Sequence, residues 1–367
     1  MQNIMTAKKL LPNTEINAVL KNYDIDFTKV NITTLGNGHI NRTYKITTPE
    51  ESFVLQRINH DIFIKTHELT RNTQKINKHL LHQQSLGNYP LSVPQQLLTK
   101  SGNTYTKVGE YYWRLMEFIA ESFTVEAVNN PEQASAVARS FAQFSRALSD
   151  FSTTELTIII DDFHDINYRM RQLTEAVTKD SLGRLRHCQT LVDFCFGQKS
   201  FIKQVIEISR KLPLHITHND TKINNLLFRP GNIPCAVIDL DTCMPGLLMH
   251  DFGDMVRTCC SNLAEDDKNI DSMVFNREIF IALIQSYQQV FNDKLTLLEQ
   301  ESLIIGAKLL PFIVATRFLS DYLNGDHYFA VNRKEQNLDR AHNQVQLFKL
   351  VSAAESTLMQ FAFKPVK

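Results

Sequence analysis

Between His215 and Arg257 the chain reads HITHNDTKINNLLFRPGNIPCAVIDLDTCMPGLLMHDFGDMVR, with its acids and amides at the ends of apolar stretches. Asp220 lies in a loop between the strand-like runs Pro213–Thr217 and Leu226–Phe228, and Asn225 follows five residues later. Ala236-Val237-Ile238 reads as a buried strand ending in Asp239 and Asp241. An acid on a loop, an amide near it and an acid at a strand end can meet at one point. Phosphoryl transfer uses that set: a carboxylate to orient an attacking hydroxyl, and oxygen ligands for Mg²⁺. Singly, each residue fits an ordinary turn equally well, because Asp and Asn hydrogen-bond their own backbone there. The spacing of the whole group carries the reading.

His218-x-Asp220-x-x-x-x-Asn225, followed by an apolar strand ending in Asp239, resembles the catalytic and metal-binding core of the protein-kinase superfamily. The resemblance implies that Asp220 accepts the proton of a substrate hydroxyl, that Asn225 and Asp239 hold Mg²⁺, and that Lys222 reaches the γ-phosphate of ATP. It makes His218 a structural tie between loop and core. Asp241 is open to two roles, a second metal ligand or a substrate contact. Asp251-Phe252-Gly253-Asp254 imitates the kinase Asp-Phe-Gly motif but begins 31 residues after Asp220, beyond the strand that already supplies Asp239. It is closer to the downstream aspartate motif of aminoglycoside-phosphotransferase-like proteins, which braces the catalytic loop, so Asp254 is expected to be structural.

Upstream elements must position this core. VNITTL, RTYKIT and SFVLQRI, within residues 30–58, read as three consecutive antiparallel strands joined by GNGHIN and TPEE. A Rossmann turn would need a helix after Gly36-Asn37-Gly38, whereas Arg42–Thr47 alternates as a strand. The connection Gly36–Asn41 therefore reads as a phosphate-approaching hairpin loop, with Asn41 tolerating a left-handed backbone. A helix is expected over 65–82, and a strand pair at Tyr105–Val108 and Tyr111–Phe118 around Gly109-Glu110. Leu55 and Arg57 share one strand face. In the kinase pattern those places contact adenine and grip the phosphates, with Glu68 as the candidate partner of Arg57. Trp113 reads as core. Glu117, Phe118 and Ile119 form a hinge whose backbone meets adenine.

Past Phe118 the pattern turns helical. Val137, Phe141, Phe144 and Leu148 make one apolar face. Further helices are expected near 166–177, 184–195, 199–211, 276–292, 297–325 and 335–362, with a β-rich insert at His215–Asp241. The expected architecture is α+β and bilobal, protein-kinase-like: an N-terminal nucleotide-binding lobe (1–116), a hinge (117–120) and a mainly helical catalytic and substrate-binding lobe (121–367). The length of 367 residues suits two domains.

The motifs His218-Asn219-Asp220-Thr221-Lys222, Ile238-Asp239-Leu240-Asp241-Thr242, Met244-Pro245-Gly246, Leu55-Gln56-Arg57-Ile58-Asn59 and Arg317–Asp326 resemble the N-acetylhexosamine 1-kinase branch of the aminoglycoside-phosphotransferase superfamily. Resemblance to that branch implies ATP- and Mg²⁺-dependent phosphorylation of the anomeric hydroxyl of N-acetylglucosamine or N-acetylgalactosamine. Arg317, Asp321, Tyr322 and Tyr328 would hold the sugar, and His39 at the loop tip would touch phosphate or sugar. Arg57 departs from the usual lysine, and Arg71 stands where related sequences carry an acid. Kinases for aminoglycosides or choline are rival readings, for which Glu265-Asp266-Asp267 is the candidate acidic run, although it also fits a solvated turn. A pseudokinase, binding nucleotide without turnover, is a third.

A formal net charge of zero provides no global field to attract nucleic acid or an anionic membrane, and the resemblance implies a small sugar as the partner. The six cysteines show no paired spacing and are read as reduced thiols. The N-terminal residues show no long apolar run, and no stretch is expected to approach the roughly 20 apolar residues of a membrane span. A cytoplasmic protein is expected.

Overall fold

Strict alternation builds the N-terminal sheet. In the computed structural model, which describes residues 13–36, 40–292 and 294–363, helix α1 (Asn13–Leu20) precedes strands β1 (Asn31–Thr34), β2 (Arg42–Thr47) and β3 (Ser52–Ile58). All three strands pair antiparallel in sequence order. Helix α2 (Thr66–Ser85), β4 (Gln96–Leu97), β5 (Thr106–Val108) and β6 (Tyr111–Glu117) come next. β6 pairs with β3 on one edge and with both β4 and β5 on the other. The two-residue β4 is too short to show a period, and the sequence offers no sign of it.

Tyr44, Ile46, Phe53, Leu55, Trp113 and Leu115 point to one side of this sheet and pack with Ile16, Val19 and Leu20 of α1. Burying side chains of this size contributes about 1.5–3 kcal/mol each. Trp113 is therefore core. The opposite sheet face carries Val54, Gln56 and Arg114 and turns toward the rest of the chain.

The second lobe is mainly helical. Its elements are α3 (Pro131–Ala147), α4 (Ile166–Lys179), α5 (Gln189–Gly197), α6 (Lys199–Ser209), the short strands β7 (His215–Thr217), β8 (Leu226–Arg229), β9 (Ile233–Val237) and β10 (Met244–Gly246), then α7 (Leu248–Cys259), α8 (Arg277–Phe291), α9 (Leu297–Asn324) and α10 (Gln336–Ala362). Local chemistry sets the helix ends. Asn130 caps α3 by accepting from Gln133 N at 2.8 Å, with Pro131 in the first turn. Thr296 and Glu299 form a capping box at α9, which stops at Gly325 (φ 107°).

Helix α7 is not among the expected elements, because Asp251, Gly253 and Asp254 weaken its helical propensity. The expectation about apolar length also needs correcting. By length and composition α9, at 28 residues, is apolar enough to cross a membrane, but 94% of its most apolar stretch is buried inside the protein. It is apolar all round because α4, α7 and α10 pack about it. All six cysteines are free and buried.

Candidate active site

The loop that carries Asp220 leaves β7, which pairs antiparallel with β10, while the β8–β9 hairpin returns the chain to Asp239. Asn219 and Asp239 both sit in the left-handed region (φ 62° each), which Asn and Asp tolerate better than other side chains. His218 is fully buried against Phe141 and Phe144, with Nε2 2.9 Å from the Ile238 carbonyl oxygen. That contact ties the loop to the strand that ends in Asp239. Thr242 Oγ1 donates to His218 O at 2.7 Å, and Asn219 Nδ2 to Thr242 O at 3.0 Å.

Asp251 in the first turn of α7 accepts from the backbone N–H of His218 (2.9 Å) and of Asn219 (2.7 Å). The direct brace of the loop is thus Asp251. Asp254, one turn later, pairs with Arg257 at 2.7 Å, and Arg257 reaches Glu265 at 2.5 Å. Burial pushes Asp251 up to about 6, against the pull of the His218 imidazole and of the two N–H groups.

Asn225 Nδ2 donates to the Asp220 carbonyl at 2.8 Å and to Asp220 Oδ2 at 2.9 Å, and Lys222 Nζ pairs with the same Oδ2 at 2.8 Å. Burial would raise the Asp220 pKa, but the Lys222 ammonium, with His218 and Arg257 behind it, holds it below the usual carboxylate value. Asp239 opens on the cleft. Even so, the surrounding protein desolvates it and Asp241 and Asp220 repel its charge, so that it is pushed up to about 7. Asn225 and Asp239 are hard oxygen donors. No group of three or more His, Cys, Asp or Glu able to hold a metal occurs among the described residues. Two such oxygens are what Mg²⁺ asks of a protein when phosphates complete its shell.

On the nucleotide side several expectations change. Leu55 and Arg57 do share a face, but it is the α1 face: Leu55 is fully buried in that core, and Arg57 stacks on the Tyr111 ring at 4.0 Å. A residue packed on the far side of the sheet cannot touch a ligand in the cleft. Glu68 makes no ion pair with Arg57 among the described residues. Among the described residues of the β1–β2 connection, Gly36 is left-handed (φ 70°) and Asn41 is not. Asn41 instead donates to Asp241 Oδ2 at 2.7 Å and accepts from Asn59 N at 3.0 Å. The expected sites Gly38 and His39 lie outside the described residues.

Asp241 is buried between lobes, its Oδ1 2.6 Å from Arg114 Nη2. Buried at 2% exposure, it accepts from Asn41 through Oδ2 and pairs with Arg114 through Oδ1, which corrects its expected place among the metal and substrate contacts. At the expected hinge, Glu117 N donates to Gln95 O (2.9 Å), Ser122 Oγ donates to Ile119 O (2.6 Å), and Lys45 stands over the Phe118 ring at 4.0 Å.

On the other flank of the Asp220 loop, the Arg317 guanidinium lies 5.0–5.5 Å from the ring centres of Phe163, Phe329 and Tyr328, and its Nη2 donates to Tyr328 Oη at 3.2 Å. Asp321 is spent elsewhere: it accepts from the backbone N–H of His327, Tyr328 and Phe329 and from Asn337 Nδ2, all within 3.0 Å. Tyr322 is 2% exposed beneath Arg184. Both are corrected from substrate contacts to parts of the packing that shapes the 326–329 turn. Glu265-Asp266-Asp267 lies in a partly exposed turn, as expected, with Glu265 paired to Arg257 and Asp266 accepting from Gln336.

Three residues here carry no signal in the sequence. His164 Nε2 lies 3.1 Å from the Asn219 carbonyl oxygen, His250 stacks 4.9 Å from His164, and Arg169 donates to Phe163 O. Burial, then the neighbouring His250 and Arg317, depress His164 well below its ordinary value, and burial lowers His250 to about 4. No spacing marks His164, because it reaches the loop from 55 residues away. A separate concavity of about 780 Å³, lined by residues such as Gln83, Arg139, Arg146 and Lys294, includes none of the candidate residues.

A small antiparallel sheet with two helices, set on a helical lobe that presents Asp220, Asn225 and Asp239, is the kinase-like fold. A family model described as the phosphotransferase enzyme family matches residues 31–271, and the chain belongs to that family. An aminoglycoside phosphotransferase from Alicyclobacillus acidocaldarius superposes with a TM-score of 0.61 at 16% identity, over 98% of both chains. A microcompartment-associated aminopropanol kinase gives 0.62 at 16% identity, covering 95% of this chain and 98% of its own. Spectinomycin phosphotransferase, solved with ADP and spectinomycin, gives 0.54 at 13% identity, with 94% and 99% coverage. At these identities the likeness is one of fold.

Proposed function

We propose that this phosphotransferase moves the γ-phosphate of ATP, with Mg²⁺, to the anomeric hydroxyl of N-acetylglucosamine or N-acetylgalactosamine, giving the sugar 1-phosphate. The observation that carries the acceptor class is the charge beside the Asp220 loop. Arg317 and Arg169 stand there with the neutral His164, and neither arginine makes an ion pair among the described residues. Uncompensated guanidinium groups repel an ammonium and favour a substrate rich in carbonyl and hydroxyl oxygens. An acetamido sugar is neutral and has that character; aminoglycosides, choline and amino alcohols carry a cationic nitrogen. The names of the fold neighbours offer those cationic acceptors as a second reading. Against it, the acids of the 265–267 run are engaged by Arg257 and Gln336.

Each residue then has a task. Both contacts to Asp220 fall on Oδ2, which leaves Oδ1 to orient the sugar hydroxyl and take its proton as the new O–P bond forms. Lys222 keeps that carboxylate ionised and stands ready to meet the transferring phosphoryl group. Asn225 and Asp239 would hold Mg²⁺, which when bound supplies neutralisation of the phosphate charge. Incubation with either sugar, ATP and Mg²⁺, with proton-coupled ³¹P spectra of the product, tests the proposal. Splitting of the new phosphate by H1, abolished by EDTA, is the expected result. Splitting by the H6 protons, or turnover with an aminoglycoside or choline alone, would refute it.

A further inference from the structure

The sheet face that meets the second lobe has no lysine where β3 faces the cleft, since the residues there are Val54 and Gln56. Arg57, the nearest cation on β3, lies on the α1 side. The cations on this face come from the neighbouring strands: Lys45 of β2, opposite Val54, is spent over the Phe118 ring at 4.0 Å, which leaves β6. Arg114 of β6 is opposite Gln56, is 2% exposed, and donates through Nε (3.0 Å) and Nη2 (2.6 Å) to Gln56 Oε1. Gln56 is itself held by donating to Thr43 on β2 at 3.1 Å. The same guanidinium meets Asp241, two residues beyond Asp239, and Asp241 is gripped in turn by Asn41 at the end of the Gly36 connection. One polar circuit therefore links β2, β3, β6, that connection and the strand end bearing Asp239. Within it Arg114 Nη1 and Asp241 Oδ1 are both buried without a hydrogen-bond partner, Oδ1 facing Nη2 as an ion pair only. Native proteins seldom leave a charged donor so, and an orphan of this kind points to a missing acceptor.

We propose that Arg114, rather than any residue of β3, is the N-lobe cation that serves the phosphates of the bound nucleotide, with Gln56 as the seat that aims its fork. A planar fork held on one side by Gln56 and Asp241 offers its remaining edge to a phosphate oxygen, a geometry in which lysine is no equal substitute. This rests on the nucleotide-using reading above, though not on the choice of acceptor.

Calorimetric titration of the acceptor-free protein with ADP, ATP and adenosine tests it. Arg114→Lys should weaken ADP and ATP binding about tenfold or more while changing adenosine affinity less than about threefold, because the loss concerns phosphate alone. Arg114→Met should do the same more strongly. Equal loss for adenosine and ADP would mean a merely structural role and would overturn the proposal. So would unchanged ADP affinity in a folded Arg114 variant, or a phosphate-selective loss in Arg57→Met. Should both Arg114 variants fail to fold, Gln56→Leu keeps every charge and releases the fork, and the same phosphate-selective loss is then required. Wild-type protein that binds none of the three ligands would overturn this proposal and the nucleotide reading together. A failure confined to the sugar assay would leave this one standing.

Discussion

Replacing Gly253 by alanine sets two effects against each other. On propensity alone, alanine in a helix interior gains about 1 kcal/mol over glycine. Packing opposes this, because α7 crosses α9 there with almost no gap. A Cβ on Gly253 would stand 2.2 Å from Gly306 O, 2.6 Å from Gly306 C and 3.0 Å from Leu310 Cδ2. The first two atoms are backbone and cannot rotate aside. A relaxed carbon–oxygen contact needs about 3.3 Å, so the helices must part by roughly 1 Å. Such overpacking costs about 1–3 kcal/mol. The movement also carries Asp251 away from His218 N and Asn219 N, now at 2.9 and 2.7 Å. Hydrogen bonds to a charged acceptor contribute about 1.5–3 kcal/mol each, and an added ångström forfeits most of that. The clash wins. The expected result is a loss of about 2–6 kcal/mol in stability. Turnover should drop about 10–100-fold, because the Asp220 loop is no longer held in register. Urea unfolding monitored by far-UV circular dichroism and steady-state turnover would measure both. An unfolding midpoint equal to or above wild type, with turnover within about twofold, would refute the reasoning, since propensity would then have outweighed contact.

The site itself sets two further outcomes. Asp220→Asn should keep the fold and nucleotide binding while turnover falls about 10²–10⁴-fold, and retention of more than about a tenth of wild-type rate would remove Asp220 from the role of base. His250 bears on pH. Its folded value of about 4 lies below the ordinary 6.5, so its neutral form favours folding, with full effect above pH 6.5 and a loss as pH falls through about 4. The shift sets an upper bound of roughly 3 kcal/mol on that loss. Wild-type protein should therefore lose more unfolding free energy between neutral pH and about pH 4 than His250→Gln does, and parallel curves for the two proteins would exclude the mechanism.

Sequence alone determined what depends on near neighbours. The three N-terminal strands, the Gly109-Glu110 turn and the α3 stripe arise from periods of two and of 3.6 residues, which the chain displays without reference to any partner. The His218–Asp239 constellation was legible for the same reason, because its ties span at most about 20 residues and its spacing dictates the loop. Tertiary structure decided the rest. Alternation says that Leu55 and Arg57 share a face; which face meets the second lobe depends on where α1 docks, and α1 docks on theirs. Asp321 and Tyr322 carry the residue types of a sugar site, but the turn at 326–329 folds back onto the former and Arg184 covers the latter. His164 and Arg114 reach the site from 55 residues before Asn219 and 127 before Asp241, respectively, separations over which no local period operates. A carboxylate becomes a brace, a ligand or a base according to which donors the fold brings to it, and those donors are set by long-range packing.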